Sequence, residues 1–411
     1  MHEQVLQVFP SVLRQADGEL LVDTDWLDAL RVYAKNFEKV VLACPVTTDD
    51  YHFGLRRCYP IKKLSDERRI EFLPLPEAFK LKDFIKNYSF VRDLLRQKIK
   101  ESKYLEFSPH TLVGDWAAVA CLEAIKQQRS YVISADVVYH KVAKLSYSNK
   151  PFVKRLVKDS VSLPLMKRYH RHLFKQSLMA LIQGQDTYDE YSPFCEKANL
   201  IYHVTVTAEE KITPAQLDQK VTSVLSQDMP LKICYAGRVN QIKGPADWIK
   251  AVNVLVQSGI SVQATWIGDG PLLSDMQELV KDLKITDSVS FPGYVSNREK
   301  LFDLVRDAHI FLFCHKTPES PRCLIEAVAM GCPIVGYESA YPLGLIEPCG
   351  GGQFVEVGNW SKLAETVAAL NTNREGLATL IQQAAKTGQT FDKVKAYQHR
   401  IDLIRESYGV A

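Results

Sequence analysis

Short apolar runs alternate with helical patterns along this chain, once over residues 5–134 and again over 231–336, and this alternation most limits how it can fold. Val5 to Phe9 and Val40 to Cys44 are strand-like, and between them Trp26, Leu30, Tyr33 and Phe37 recur at helical spacing. Further strands are predicted at Ile70 to Leu75, Leu105 to Phe107 and Tyr131 to Ser134, with a helix from Ala117 to Ile125. The second half repeats the scheme, with strands near 231–236, 261–267, 288–291, 308–313 and 333–336. Strands that alternate with helices pair in parallel and are covered on both faces, so the expected class is α/β with two doubly wound domains. Thr207 to Met229 is polar, contains Pro214 and reads as a linker after a strand at Leu200 to Val206. The expected division is 1–210, 211–391 and a last amphipathic helix over 392–411, patterned by Val394, Tyr397, Ile401, Ile404 and Tyr408.

At 411 residues and 46% apolar content the chain can bury sizeable cores, consistent with more than one domain. Nine cysteines without a Cys-x-x-Cys pair argue for reduced thiols and a cytoplasmic protein rather than a disulfide framework. No apolar stretch approaches the roughly 20 residues that span a bilayer, and the start lacks a basic leader, so membrane contact is expected only as peripheral contact at the inner face. The net charge of +3 hides an asymmetry: residues 141–175 carry ten Lys or Arg against one acid, Asp159. Such a block is a solvated face in its plainest reading. Val153, Leu156, Val157, Leu163, Met166, Tyr169 and Leu173 interleave with the cations, which suits an anionic acceptor or an anionic membrane surface, with Pro164 dividing the segment into two helices. No nucleic-acid partner is expected.

Chemistry concentrates in the second half. Gly237-Arg238 and Lys243-Gly244 follow the apolar run Leu231 to Ala236 and precede a helical pattern opened by Pro245. Two cations at a strand-to-helix turn suit a diphosphate, because fixed charge and exposed helix N–H groups offset phosphate charge. Downstream, Glu319 and Glu326 flank Ser-Pro-Arg322-Cys323-Leu324-Ile, and a carboxylate such as Glu326 can accept bonds from both hydroxyls of a ribose. The same helix start offers the N–H groups of Cys323 and Leu324 to phosphate, and Arg322 adds a cation. Cations that stabilise a leaving diphosphate remove the need for a metal, and no cofactor is expected. The one Asp-x-Asp, Asp23-Thr24-Asp25, precedes a helix and reads as an N-cap.

This combination resembles the retaining glycosyltransferases of family four (glycosyl transferases group 1), which have the GT-B fold. Supporting landmarks stand in the family's order: Trp266-Ile-Gly268-Asp269-Gly270-Pro271, Phe291-Pro-Gly293-Tyr294-Val295 and Glu326-Ala-Val-Ala-Met-Gly331-Cys-Pro333. One departure is present, since Glu319 and Glu326 form E-x6-E where the family has E-x7-E. The resemblance implies two Rossmann-like domains facing a cleft, with the last helix crossing back onto the first domain. It implies transfer of a sugar from a nucleoside diphosphate donor to an acceptor hydroxyl, with retention and without metal. The acceptor would be a carbohydrate, a lipid-linked sugar or a small molecule. Arg238 and Lys243 would hold the diphosphate, Glu326 the ribose, Glu319 the donor sugar, and Gly268, Tyr294 and Val295 the base side of the pocket. In the first domain Gly18, in Asp17-Gly18, stands where the family has a turn near the donor phosphate. Asp136 stands where members place a histidine near the reacting sugar, with His140, His110 and Asp115 as further candidates. Two rival activities fit the same donor pocket: a sugar-nucleotide epimerase, and a non-catalytic sugar-nucleotide-binding protein.

Overall fold

The computed structural model describes residues 2–10, 13–47, 58–64, 69–78, 80–146, 158–317 and 319–409. The chain forms two compact units, one made of Met1–Tyr202 with Val394–Ala411, the other of His203–Lys393. The sequence had suggested a division at 210 and a last segment from 392.

The first unit is built on a sheet whose parallel strands are β1 (His2–Val8), β4 (Lys39–Thr47), β6 (Ile70–Leu75), β7 (Ser102–Phe107), β8 (Val132–Ala135), β9 (Met179–Gln183) and β10 (Ala198–Ile201). In space they run β6-β4-β1-β7-β8-β9-β10. Their side chains alternate between two cores, as the pleat requires. Leu6, Val8, Val41, Leu105 and Ile133 face one side with Val91, Leu95 and Trp116 of the helices Leu81–Glu101 and Trp116–Lys126. Val5, Val40, Leu42, Tyr104 and Val132 face the other, with Leu30 and Tyr33 of the helix Thr24–Asn36 and Ile401 and Ile404 of the last helix, Lys393–Ser407. Each of those two isoleucines is fully buried, which is worth about 1.5–3 kcal/mol apiece. The last helix is also held electrostatically, since Arg400 Nε donates to buried Glu106 at 2.9 Å.

Four strands escaped the sequence reading here, β9 and three short ones. β2 (Leu13–Ala16) and β3 (Glu19–Asp23) form an antiparallel hairpin, and β5 (Cys58–Pro60) pairs with β3. The hairpin turns at Asp17-Gly18, both with positive φ (50° and 74°), the two-residue geometry that Asp-Gly favours. Pro164 does not divide helices: it lies in the first turn of the helix Leu163–Gln176, which continues from a π-turn over Lys158–Ser162. Lys150, Val153, Lys154, Arg155, Leu156 and Val157 lie outside the described residues.

The second unit has a six-stranded, wholly parallel sheet: β11 (Leu231–Ala236), β12 (Val262–Ile267), β13 (Val289–Gly293), β14 (Ile310–Phe313), β15 (Ile334–Tyr337) and β16 (Gly352–Val355). Their order is β13-β12-β11-β14-β15-β16. Numbered within the unit this is 3-2-1-4-5-6, with the direction of winding reversing between β11 and β14. The supposed linker corrects the sequence reading. Its polar residues include a helix, Pro214–Leu225, because Thr213 and Gln216 form a capping box and Pro214 has the φ that a first turn needs. The strand before it ends at Ile201 rather than Val206. Among the described residues no helix is long and apolar enough to cross a membrane.

Candidate functional site

In an open doubly wound sheet, ligands bind beyond the carboxyl ends of the strands where the winding reverses. In the second unit that point lies between the loop after β11 and the loop after β14, which carry the Arg238–Lys243 and His315–Glu319 segments. Both loops are fixed by backbone. Gly237 N–H donates to Ile267 O at 2.9 Å, Val239 N–H to Asp269 O at 2.9 Å and Trp266 Nε1 to Gly237 O at 3.1 Å. A Cβ on Gly268 would come within 2.1 Å of Gly237 O, so glycine is required where the β12 loop crosses the β11 loop. A 3₁₀ turn, Gln241–Lys243, ends at Gly244 in the left-handed region (φ 64°), where a Cβ would meet Cys314 O at 2.2 Å. The helix Pro245–Gln257 begins there. Lys316 N–H donates to Ile242 O at 2.8 Å and joins the two loops.

Charges meet on this frame. Lys243 Nζ lies 2.6 Å from Glu319 Oε1, with both side chains less than one fifth exposed. Arg238 is exposed and has no side-chain bond among the described residues. Behind the pair, His315 Nδ1 is 3.8 Å from the same Glu319 oxygen, and its Nε2 is 2.7 Å from Tyr235 Oη. Burial, helped by the Lys243 charge, holds His315 well below the ordinary imidazole range, so the ring is neutral. Neither Tyr235 nor His315 had been singled out in the sequence. The only cue to His315 was its place four residues before Glu319, just past an apolar run.

Glu326 sits in the helix Arg322–Ala329, which starts without a side-chain cap. Its Oε1 accepts from Thr205 Oγ1 at 2.7 Å and faces Arg298 Nη1 at 3.4 Å, and among the described residues no bond falls on Oε2. Arg298 is itself held by Glu210 at 2.5 Å. Of the two N–H groups expected to face phosphate, that of Leu324 turns back onto Pro321 O at 3.2 Å. Burial pushes the Cys323 thiol up to about 12, so it stays protonated. Arg322 is exposed. Tyr294, 43% exposed, and Val295 follow Gly293, whose φ is 72°.

The first-unit candidates separate by role. Asp115 caps the helix Trp116–Lys126, accepting from the N–H groups of Ala117 (2.9 Å), Ala118 (3.1 Å), Thr111 (3.0 Å) and His110. Those bonds account for it structurally. Asp136, just beyond β8, accepts from Tyr139 Oη at 2.7 Å and lies 4.0 Å from His110 Nε2. His110 packs its ring on Tyr139 at 4.3 Å. His140 turns instead toward Glu190, at 3.8 Å, and burial lowers its pKa. Gly18 occupies the hairpin turn, and a Cβ there would meet nothing within 4 Å. All nine cysteines are free, and among the described residues no group of three or more His, Cys, Asp or Glu is gathered as a metal would need.

Known proteins resemble this chain in its second unit and in its backbone. Residues 218–387 match the family model of glycosyl transferases group 1. The chain is 27% identical over 200 residues to the amylovoran biosynthesis glycosyltransferase AmsK of Erwinia amylovora, covering 47% of this chain and 48% of that one. It is 22% identical over 232 residues to the alpha-D-kanosaminyltransferase of Streptomyces kanamyceticus, covering 55% and 60%. The matched stretch thus spans about half the length of the curated relatives. Among solved structures, Anabaena Alr3699/HepE in complex with UDP-glucose superposes with a TM-score of 0.66 at 15% identity, covering 98% of this chain and all of that one. WaaG, a glycosyltransferase involved in lipopolysaccharide biosynthesis, gives a TM-score of 0.63 at 14% identity, covering 98% and 99%. The backbone is that of the GT-B fold, and it is the second unit, over residues 218–387, that matches the group 1 glycosyl transferases.

Proposed function

We propose that the protein transfers a sugar from a nucleoside diphosphate sugar to an acceptor hydroxyl, with retention of configuration and without a divalent metal. The observation that carries this reading is the meeting of Lys243 and Glu319 at 2.6 Å where the winding of the second sheet reverses, with Arg238 exposed in the same loop as Lys243. Arg238 and Lys243 bind the diphosphate and stabilise its charge as the glycosidic bond breaks. Glu326 uses its open oxygen on the ribose hydroxyls, Glu319 meets hydroxyls of the donor sugar, and Tyr294 and Val295 border the base. Asp136, held by Tyr139, is the polar group offered toward the acceptor side of the reaction. We assign no side chain as a nucleophile; the departing phosphate oxygen takes the acceptor proton, as the family resemblance implies.

UDP-glucose, bound by the Anabaena structural relative, is the first donor to test. The exposed cations Lys144, Arg168 and Lys175, with Val161 and Leu165 more than half exposed among them, make an anionic acceptor or membrane surface the natural partner of the first unit. Incubating the protein with a panel of nucleoside diphosphate sugars and acceptors, and reading the anomeric configuration of the product by NMR, tests this function. A retained linkage supports it. An inverted linkage removes retention, and an epimerised donor formed without acceptor removes transfer.

A further inference from the structure

Tyr235 and His315 form a buried polar pair whose far end points at the proposed donor site. Tyr235, the penultimate residue of β11, is fully buried, and its hydroxyl lies 2.7 Å from His315 Nε2. His315, two residues past β14 and 7% exposed, turns its other nitrogen toward Glu319 Oε1 at 3.8 Å. A neutral imidazole carries one ring proton, and two tautomers are available. With the proton on Nε2, the Nδ1 lone pair would face a carboxylate across a desolvated gap, which is repulsive. With the proton on Nδ1, Tyr235 donates to Nε2 and the ring N–H faces Glu319. Every dipole in the chain then points the same way, an arrangement in which each bond strengthens the next.

We propose that His315, oriented by Tyr235, is a positioning residue that holds the Glu319 carboxylate toward the donor sugar once a diphosphate has drawn Lys243 away. This rests on the donor reading above. Glu319 Oε1 is shared between Lys243 at 2.6 Å and His315 at 3.8 Å. A diphosphate offers Lys243 a stronger anion than one carboxylate, so the ammonium shifts to phosphate. Without a second donor behind it, Glu319 would follow the ammonium or swing into solvent. The His315 N–H closes on the oxygen that Lys243 releases and keeps the carboxylate facing sugar hydroxyls.

Three variants test this, each assayed for donor kcat and KM, for nucleoside diphosphate affinity by calorimetry and for thermal unfolding. His315→Leu removes the ring donor, His315→Asn returns an amide N–H near the position of Nδ1, and Tyr235→Phe removes only the orienting hydroxyl. His315→Leu is expected to lower kcat by about 10- to 100-fold, the size of losing one bond to a charged group, with nucleoside diphosphate affinity within about threefold. His315→Asn should recover most of the loss, and Tyr235→Phe should fall between the two. In a Glu319→Gln background His315→Leu should add less than about twofold, because the two residues act as one unit. If His315→Leu does not fold, Tyr235→Phe alone decides, and an unchanged kcat there overturns the proposal. Equal losses with and without Glu319, or His315→Asn no better than His315→Leu, also overturn it. A wild-type protein that turns over no nucleotide sugar would overturn the donor reading and the proposal together, whereas active wild type with indifferent variants overturns the proposal alone.

Discussion

Lys243 and Glu319 hold one another at 2.6 Å across the carboxyl ends of β11 and β14. The cation proposed for the leaving diphosphate is therefore already paired, and a nucleotide must compete with Glu319 for it. Glu319→Gln should accordingly tighten binding of a bare nucleoside diphosphate by about two- to fivefold, the release of a modest, partly exposed ion pair. The intact sugar donor should gain nothing, since it also loses the contact with Glu319. Calorimetry with both ligands checks this, and weaker binding of the bare diphosphate would place Glu319 among the phosphate-binding groups.

Arg238 differs from Lys243 in being exposed and uncommitted. Arg238→Ala should cut transfer by about 100-fold or more while unfolding at the wild-type temperature. Lys243→Ala should resemble it in rate, and the double variant should lose less than the two combined if both cations hold one diphosphate. Chelator should leave the rate intact. Inhibition by chelator that magnesium or manganese restores would show that these cations do not suffice.

Stability of the first unit should depend on Arg400 far more than an ordinary surface arginine allows. Burial raises the Glu106 pKa, but the Arg400 charge and bonds from Gln7, Arg400 and Ser134 outweigh it, so the carboxyl stays below its usual 4.5. A depressed carboxyl stabilises the fold above its unfolded pKa, and that stability is lost as pH falls through the lowered value. Arg400→Leu leaves Glu106 buried without its countercharge and should cost about 3–5 kcal/mol at neutral pH in urea unfolding. Burial then dominates and Glu106 titrates higher, so the deficit should shrink as pH falls toward about 4. A deficit independent of pH would mean that the loss is one of packing alone.

Charge on the first unit should govern partner binding and leave donor binding alone. Lys141, Lys167 and Arg171 converge on Glu190 within 3.5 Å, so reversing them would disturb structure. Lys144, Arg168 and Lys175 are exposed and suit the test. Changing all three to Glu should weaken binding to anionic vesicles or an anionic acceptor, more at low salt than at high, because exposed charges are screened beyond about 8 Å at physiological ionic strength. Unchanged binding would return the segment to a plain solvated face.

The legibility of this chain follows the range of the interactions involved. Apolar runs mark β11, buried at all but Lys232, and the partly buried β6, so both match their sequence-predicted bounds, and four of the other second-unit strands differ only at their ends. β2, β3 and β5 are short and only partly buried, so no run marks them. The helix Pro214–Leu225 hides in polar sequence because its local signal is a capping box rather than a stripe. Arg238, Lys243 and Glu326 were readable from spacing around glycines and a helix start. Thr205, Arg298, Tyr235 and His315 were not, because each reaches a site residue only through the folded unit; Thr205 meets Glu326 from 121 positions away. Asp136 was marked by the resemblance, standing after a strand where the family places a histidine, but its bond to Tyr139 comes from the helix that follows.

The most direct test of the central claim is calorimetric titration of wild type and Glu326→Gln with a nucleoside diphosphate and its 2′,3′-dideoxy analogue. Glu326 keeps Oε1 on Thr205 and Arg298, and the proposed ribose contact falls to Oε2. Wild type should bind the ribonucleotide, and Glu326→Gln should weaken it by about 10- to 100-fold, the loss of a charge-assisted bond to the hydroxyls. The dideoxy analogue should bind both proteins alike. Equal losses for the two nucleotides, or a wild type that binds neither, would contradict the account.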